Sequence, residues 1–198
     1  MTAPQTSPKL DRSNIVAFIA DIFERRGAES YLGEKVSMSE HMLQGAVLAE
    51  TEGASEELVA AALLHDIGHY TSEFGPMSLG DERDNYHEES GAKVLAPFFP
   101  PVITECVRLH VPAKRYLCAT DKAYYDRLSE ASKHTLMLQG GPMSAEEVAA
   151  FERNPFHREA VRVRIWDDEG KRPGVKTPEF RHYMPLLQRV VDRQGRAV

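Results

Sequence analysis

The sequence predicts an all-α fold, a compact helical bundle in one domain. Apolar residues recur at helical spacing, as in Ile15, Phe18, Ile19, Ile22 and Phe23. No segment alternates apolar and polar residues in the way a half-buried strand requires. Glycine, proline and cap residues cut the chain into pieces of helix length. At 198 residues the chain is long enough to bury one real core.

Residues 1–12 are polar, hold two prolines and read as a loose N-terminal arm, leaving 13–198 as the domain. Ser13 to Arg26 is the first expected helix, capped by Ser13 and ended by Gly27. Ser39 is the expected cap of a second helix that runs through His41 to about Glu50, with Gly53 beyond it. Ser55-Glu56-Glu57 opens a third helix, whose Ala- and Leu-rich run Leu58 to Leu64 suits burial. Residues 71–86, with Gly75, Pro76 and Gly80, read as a loop or lid. Tyr86 to Ala96 is helical, and Phe98 to Pro101 a turn. The next helix, Val102 to His110, should stop near Val111-Pro112, because a proline disfavours helical backbone just before it. Asp121 to Leu138 reads as one or two helices, closed by Gly140-Gly141-Pro142. Ser144 with Glu147 is a capping box, His157 to Asp167 another helix, 170–178 a loop and Glu179 to Arg193 the last helix.

Hydrophobic content of 42% and charged content of 27% are ordinary for a globular chain. No long apolar run suggests a membrane span and no apolar signal core opens the chain, so cytoplasmic location is the default expectation. Cys106 and Cys118 alone do not imply a disulfide scaffold. A net charge of −6 argues against a nucleic-acid partner but leaves room for a local anion pocket.

The chemistry gathers around Leu63-Leu64-His65-Asp66-Ile67-Gly68-His69. On a continuous helix, His65 and His69 share a face. Polar groups ending so apolar a helix are costly unless they bind something. His41, His87 and His110 lie about twenty residues apart, each on or beside an expected helix, and antiparallel helices return such side chains to one centre. Imidazoles with carboxylates suit iron, manganese or zinc rather than calcium. His134, His157 and His182 read as ordinary.

The order His41, His65-Asp66, His87, His110 and a late Asp in Arg164-Ile165-Trp166-Asp167 resembles the HD-domain superfamily of metal-dependent enzymes. Most of these are phosphohydrolases; a smaller branch are diiron oxygenases. Tyr31-Leu32-Gly33-Glu34 and His110-Val111-Pro112-Ala113-Lys114-Arg115-Tyr116 are similar to motifs of the PhnZ-type organophosphonate oxygenases in that branch. So are Leu128 to Ser132 and Gln139 to Met143, and the likeness spans about residues 30–185. The resemblance implies two iron ions, an Fe(II)/Fe(III) pair. One would be held by His41, His65, Asp66 and Asp167, the other by His87 and His110 with Asp66 bridging. It implies Lys114, Ser132, Thr135 and Arg164 around a phosphonate, His69 as a substrate contact, Tyr31 as a removable cap on one iron, and Glu34 at the substrate's amino end.

The implied reaction is O2-dependent cleavage of the C–P bond of a 1-hydroxyphosphonate, in partnership with a hydroxylase that makes this substrate. Met38 departs from the pattern, in which the amine-specific enzyme has a polar residue. It favours 1-hydroxy-2-(trimethylammonio)ethylphosphonate, giving glycine betaine and phosphate, with Tyr31 or Tyr86 offering a ring face to the cation. The alternative substrate is (R)-2-amino-1-hydroxyethylphosphonate, giving glycine. Two rivals are an HD-type phosphohydrolase, against which the Tyr-x-Gly-Glu segment argues, and a degenerate binding module, against which the full ligand set argues.

Overall fold

The computed structural model describes residues 9–31, 33–71 and 84–196. Among them all regular structure is helical, apart from one isolated antiparallel bridge between Ser30 and Ser37. No described helix is long and apolar enough to cross a membrane.

The first turns correct two expected caps. Helix α1 (Ile15–Arg26) has no side-chain cap. Ser13 instead donates its hydroxyl to Asp11 Oδ1 at 2.6 Å, and Asp11 also accepts the Ser13 N–H at 2.8 Å. The acid builds the turn and takes the serine as a donor. The end of the expected arm is tied down, since Gln188 Nε2 donates to Arg12 O at 3.3 Å; residues 1–8 lie outside the described residues. Helix α2 (Met38–Thr51) is capped by Ser37, not Ser39. Ser37 Oγ accepts from Glu40 N at 3.2 Å and Glu40 Oε2 accepts from Ser37 N at 2.7 Å. Only Ser37 has an acid three residues on, which is what a capping box needs.

Helix α3 (Glu56–Leu64) starts at the Ser55 cap as expected and is buried all round from Leu58 to Leu64. It packs against α2, α6 (Pro101–Thr120), α10 (His157–Glu169) and α11 (Phe180–Arg196). Contrary to expectation it does not run on to His69. The chain turns at 65–67, with Ile67 N bonded to Leu64 O and His69 N to Asp66 O, both at 3.0 Å. Short helix α4 (Gly68–Thr71) follows, so His65 and His69 leave the turn towards different neighbours rather than sharing a face. Residues 72–83, most of the expected lid, lie outside the described residues.

Gly68 sets the junction between α4 and α5 (His87–Leu95). A Cβ there would stand 1.7 Å from His87 O, a backbone atom that cannot swing aside. Gly68→Ala is therefore expected to push the two helices apart. Overpacking of this kind costs roughly 1–3 kcal/mol. The check is a urea midpoint together with metal content; unchanged values for both would remove this close approach from the account.

Helix α6 overturns the expected stop at Val111-Pro112 and runs through Pro112 to Thr120. Proline removes one helical N–H and crowds the preceding turn. Burial on both sides outweighs that cost: Leu109, His110 and Val111 precede Pro112, Ala113 and Lys114 follow it, and all five are buried. The unbroken helix puts His110 and Lys114 four residues apart on one face. Residues 121–138 form two helices, α7 (Lys122–Arg127) and α8 (Glu130–Leu138), and the Ser144 capping box opens α9 (Ala145–Glu152). The last helix, α11, lays Phe180, Tyr183, Leu187, Val190 and Val191 against the core. From its outer side, Arg193 reaches Glu56 and Glu57 at 2.7 and 2.9 Å.

Candidate functional site

Four helices and one turn deliver the expected metal residues to one point beneath the end of α3. His41 comes from α2, His65 and Asp66 from the turn after α3, His87 from the first residue of α5, His110 from α6 and Asp167 from α10. All six are buried. They fall into two triads, His41–His65–Asp167 and Asp66–His87–His110, in each of which the ligand atoms lie within 4.8 Å of one another.

Each imidazole is oriented through its Nδ1. His65 Nδ1 meets Ala62 O at 2.8 Å, His110 Nδ1 meets Val107 O at 2.7 Å, and His41 Nδ1 meets Gly170 O at 3.1 Å. These carbonyls can only accept, so the proton belongs on Nδ1 and each Nε2 turns a lone pair inward. His87 Nδ1 faces Asn85 Oδ1 at 3.1 Å. The Nε2 atoms then confront one another, His41 with His65 at 3.0 Å and His87 with His110 at 3.1 Å. Two lone pairs cannot hydrogen bond, and a cation between them resolves the clash. Asp66 Oδ2 and Asp167 Oδ1 are buried without a hydrogen bond; Lys171 stands 3.3 Å from Asp167 Oδ1 as an ion pair, and Asp66 Oδ2 is costly to bury unless a cation meets it.

The charges agree. Burial disfavours an imidazolium at His65, yet Asp66 and Asp167 raise it to about 9. Burial takes His110 down to about 4 and holds the neutral His69 well below its usual value. Despite burial, His65 and His69 draw Asp66 far below the usual carboxylate range. The residues fit a metal: imidazole nitrogens with ionised carboxylates suit iron, manganese or zinc, and a bound cation would take the place of the proton that Asp66 and Asp167 favour on His65.

Beside the triads is a small cavity of about 20 Å³, lined by Tyr31, His69, Lys114, Ser132, Thr135 and Arg164 among others. That is about the room one water needs. Lys114 and Arg164 are buried, not solvated surface charges. Lys114 Nζ donates to Thr135 Oγ1 at 2.8 Å, and burial, with Arg164 nearby, brings its ammonium down to about 7. Arg164 donates from Nε to Tyr124 Oη at 3.1 Å and pairs through Nη1 with Asp167 Oδ2 at 2.7 Å; its Nη2 is paired with Asp168. His69 stacks on His87 at 4.0 Å, and its Nε2 stays 3.8 Å from Asp66 Oδ1.

Tyr31 stacks on His41 with ring centroids 4.0 Å apart, and burial with the neighbouring Asp66 keeps its phenol protonated. Glu34 follows it, its backbone N–H donating to Tyr31 O at 2.6 Å, and its Oε1 is buried with no partner. Met38 is buried one turn before His41. Tyr86 corrects an expectation. It is 59% exposed and lines an outer groove of about 1040 Å³ with Glu89 and Lys93, so it offers no ring face to this cavity. Its left-handed backbone, φ 48°, starts α5 and turns the ring outward.

The HD domain family matches residues 38–168, which carry both triads. The chain belongs to the HD-domain family. Two relatives cover most of this HD domain. One, [1-hydroxy-2-(trimethylamino)ethyl]phosphonate dioxygenase (glycine-betaine-forming) of Leisingera caerulea, is 60% identical over 193 residues, 98% of each chain. Another, hydroxymethylphosphonate dioxygenase of Gimesia maris, is 47% identical over 161 residues, 78% of each chain. The buried His and Asp clusters of the HD domain are metal-binding.

Sequence reasoning missed three parts of the site. Gln139 lines the cavity with a buried, unpartnered Oε1. Asp168 and Tyr124 brace Arg164. Lys171 reaches Ser132 and Asp167. The doublet Asp167-Asp168 followed by Lys171 at helical spacing was the available signal for Asp168 and Lys171; Gly170, read as the start of a loop, concealed it.

Proposed function

We propose that the chain is an O2-dependent diiron oxygenase that cleaves the C–P bond of 1-hydroxy-2-(trimethylammonio)ethylphosphonate. The products are glycine betaine and phosphate, one atom of dioxygen being taken up by each. The observation that carries this reading is that Asp66 stands 3.3–3.4 Å from the imidazoles of both His41–His65 and His87–His110, beside a small pocket of two cations and two hydroxyls. Two cations and hydroxyl donors suit a dianion. The two phosphonate dioxygenases related to the chain support the same chemistry.

His41, His65, Asp66 and Asp167 would hold one iron, and His87, His110 and Asp66 the other. The Fe(II)/Fe(III) pair, when bound, supplies chelation of the substrate's hydroxyl and phosphonate oxygens and one-electron chemistry with dioxygen. Lys114, Ser132, Thr135 and Arg164 surround the phosphonate and set C1 at the metals. His69, neutral and stacked on His87, contacts the substrate without adding charge. A cavity of about 20 Å³ does not admit this substrate, so Tyr31 serves as the cap that must leave its place on His41. Glu34, with a free carboxylate oxygen, meets the substrate's cationic nitrogen. The substrate's C1 hydroxyl requires an upstream hydroxylase acting on the parent phosphonate.

The test is anaerobic iron loading followed by oxygen uptake and phosphate release with a panel of 1-hydroxyphosphonates. Iron content of two per chain, and release of phosphate in step with oxygen consumed, are the expected results; phosphate release from esters without oxygen uptake points to a phosphohydrolase instead. Met38 bears on the methylation state. A trimethylammonium has no donors, so an amide in place of Met38 is left unpaired against the methyl groups. Met38→Gln is expected to lower the preference for the trimethylated substrate over the primary amine by about tenfold, since one unpaired buried polar group costs roughly 1–3 kcal/mol. A ratio of kcat/KM values that does not move takes Met38 out of the explanation, and a wild-type preference for the primary amine makes glycine the product.

A further inference from the structure

The loop after α10 carries a lysine that the reaction scheme above does not use. Its backbone is pinned on both sides to α2. Gly170 O accepts from His41 Nδ1 at 3.1 Å, and a Cβ on Gly170 would sit 3.0 Å from Trp166 O and 3.1 Å from His41 O. Arg172 is held by the buried Gln44 amide, which donates to Arg172 O at 3.0 Å and accepts from Arg172 N at 3.1 Å. Held at both neighbours, the chain sends Lys171 inward, and its side chain is only 9% exposed.

The Lys171 ammonium donates to one hydroxyl and stands within ion-pair distance of two carboxylate oxygens. Ser132 Oγ lies 3.1 Å away, Asp167 Oδ1 3.3 Å and Asp168 Oδ1 3.5 Å. It also stands 5.7 Å from the centre of the Tyr31 ring. Ser132 and Asp167 line the small cavity beside the triads, with Lys171 behind them.

We propose that Lys171 is a positioning residue for the phosphonate pocket, which by donating to Ser132 leaves the Ser132 hydroxyl proton to a phosphonate oxygen. A serine hydroxyl has one proton to give and two lone pairs to fill. With Lys171 filling a lone pair, the proton must point elsewhere, and among the described residues the Ser132 hydroxyl donates to nothing. Thr135, one turn on, is different: it accepts from Lys114 and spends its proton on Ser132 O at 3.2 Å. Of the two hydroxyls, Ser132 is therefore the donor to the ligand and Thr135 the holder of Lys114. An ammonium on the oxygen also polarises the O–H and strengthens its bond to an anion. The same ammonium steadies Asp167, which faces His41 Nε2 at 3.4 Å through the same oxygen.

This inference rests on the phosphonate reading of the pocket, and the experiment separates the two. Iron-loaded protein is titrated anaerobically with methylphosphonate by calorimetry, and iron content is measured alongside. Lys171→Met is expected to keep its iron and bind about tenfold more weakly, the scale of one hydrogen bond to a charged group. Ser132→Ala should lose a similar factor, and the double variant no more than either alone, because one acts through the other. Lys171→Arg should restore most of the affinity. If the Met variant does not fold, Lys171→Gln, which keeps an N–H donor, is expected to lose roughly threefold. Wild-type affinity in the Met or Gln variant, or losses from Lys171 and Ser132 that multiply, overturns the role of Lys171 alone. A wild-type protein that does not bind methylphosphonate overturns the phosphonate reading and this inference with it.

Discussion

Asp66→Ala is expected to empty both metal positions at once. The two carboxylate oxygens face opposite pairs of imidazoles. Asp66 Oδ1 lies 3.3 Å from the Nε2 atoms of both His87 and His110. Asp66 Oδ2 lies 3.4 Å from those of both His41 and His65. In the proposed two-metal centre a carboxylate in this position would serve both cations and screen their repulsion, so its removal would cost each of them a ligand and a charge. Asp167→Ala strips a ligand from one triad only and should empty mainly that position. Metal-to-protein ratios read the difference directly, and oxygen uptake by Asp66→Ala should fall by more than ~100-fold, beyond what loss of an outer hydrogen-bond partner does. Full occupancy in Asp66→Ala, or equal loss of both metals in the two variants, would mean that Asp66 does not bridge.

Much of this cluster was legible in the sequence, because the histidines and aspartates that the fold brings together are rare residue types in a strongly ordered pattern. The helix stripe of α1 and the apolar run of α3 carried the all-α reading, since burial repeats with the helical period. What the sequence concealed was local competition. Ser37 and Ser39 are alike until the acid at 40 is weighed. Pro112 reads as a stop until packing on both of its sides is known. The His65–His69 spacing reads as one helical face, but the turn at 65–67 separates them and gives Asp66 its central place. Lys171 was hidden for a related reason. Its inward course depends on Gln44, 127 positions away in the chain, and no local pattern reports such a contact.

Loss of either cation of the anion pocket is expected to lower kcat/KM with iron retained. Arg164 has five donors, and Asp167, Asp168 and Tyr124 occupy three of them. Lys114 spends one of three on Thr135. Two N–H donors remain on each, enough with the Ser132 hydroxyl to engage all three oxygens of a phosphonate. A charge-assisted bond is worth roughly 1.5–3 kcal/mol, so Lys114→Met and Arg164→Lys should each lose about one to two decades in kcat/KM. Lysine does not replace the planar fork of Arg164, so charge alone should not rescue it. Lys114 adds a pH signature. Burial and Arg164 bring it from the usual 10.5 to about 7, so the empty pocket sheds this proton as pH rises above neutrality. A bound dianion favours the charged form and raises the value again, so binding takes up a proton and this contribution weakens as pH climbs from about 7 towards 10.5. Relative to wild type at each pH, Lys114→Met should therefore show its largest deficit near or below neutrality and a shrinking one in alkali. Initial rates of phosphate release from both proteins across that window provide the check. A deficit that stays constant with pH would take the titration of Lys114 out of substrate binding, and no deficit at all would place the phosphonate elsewhere.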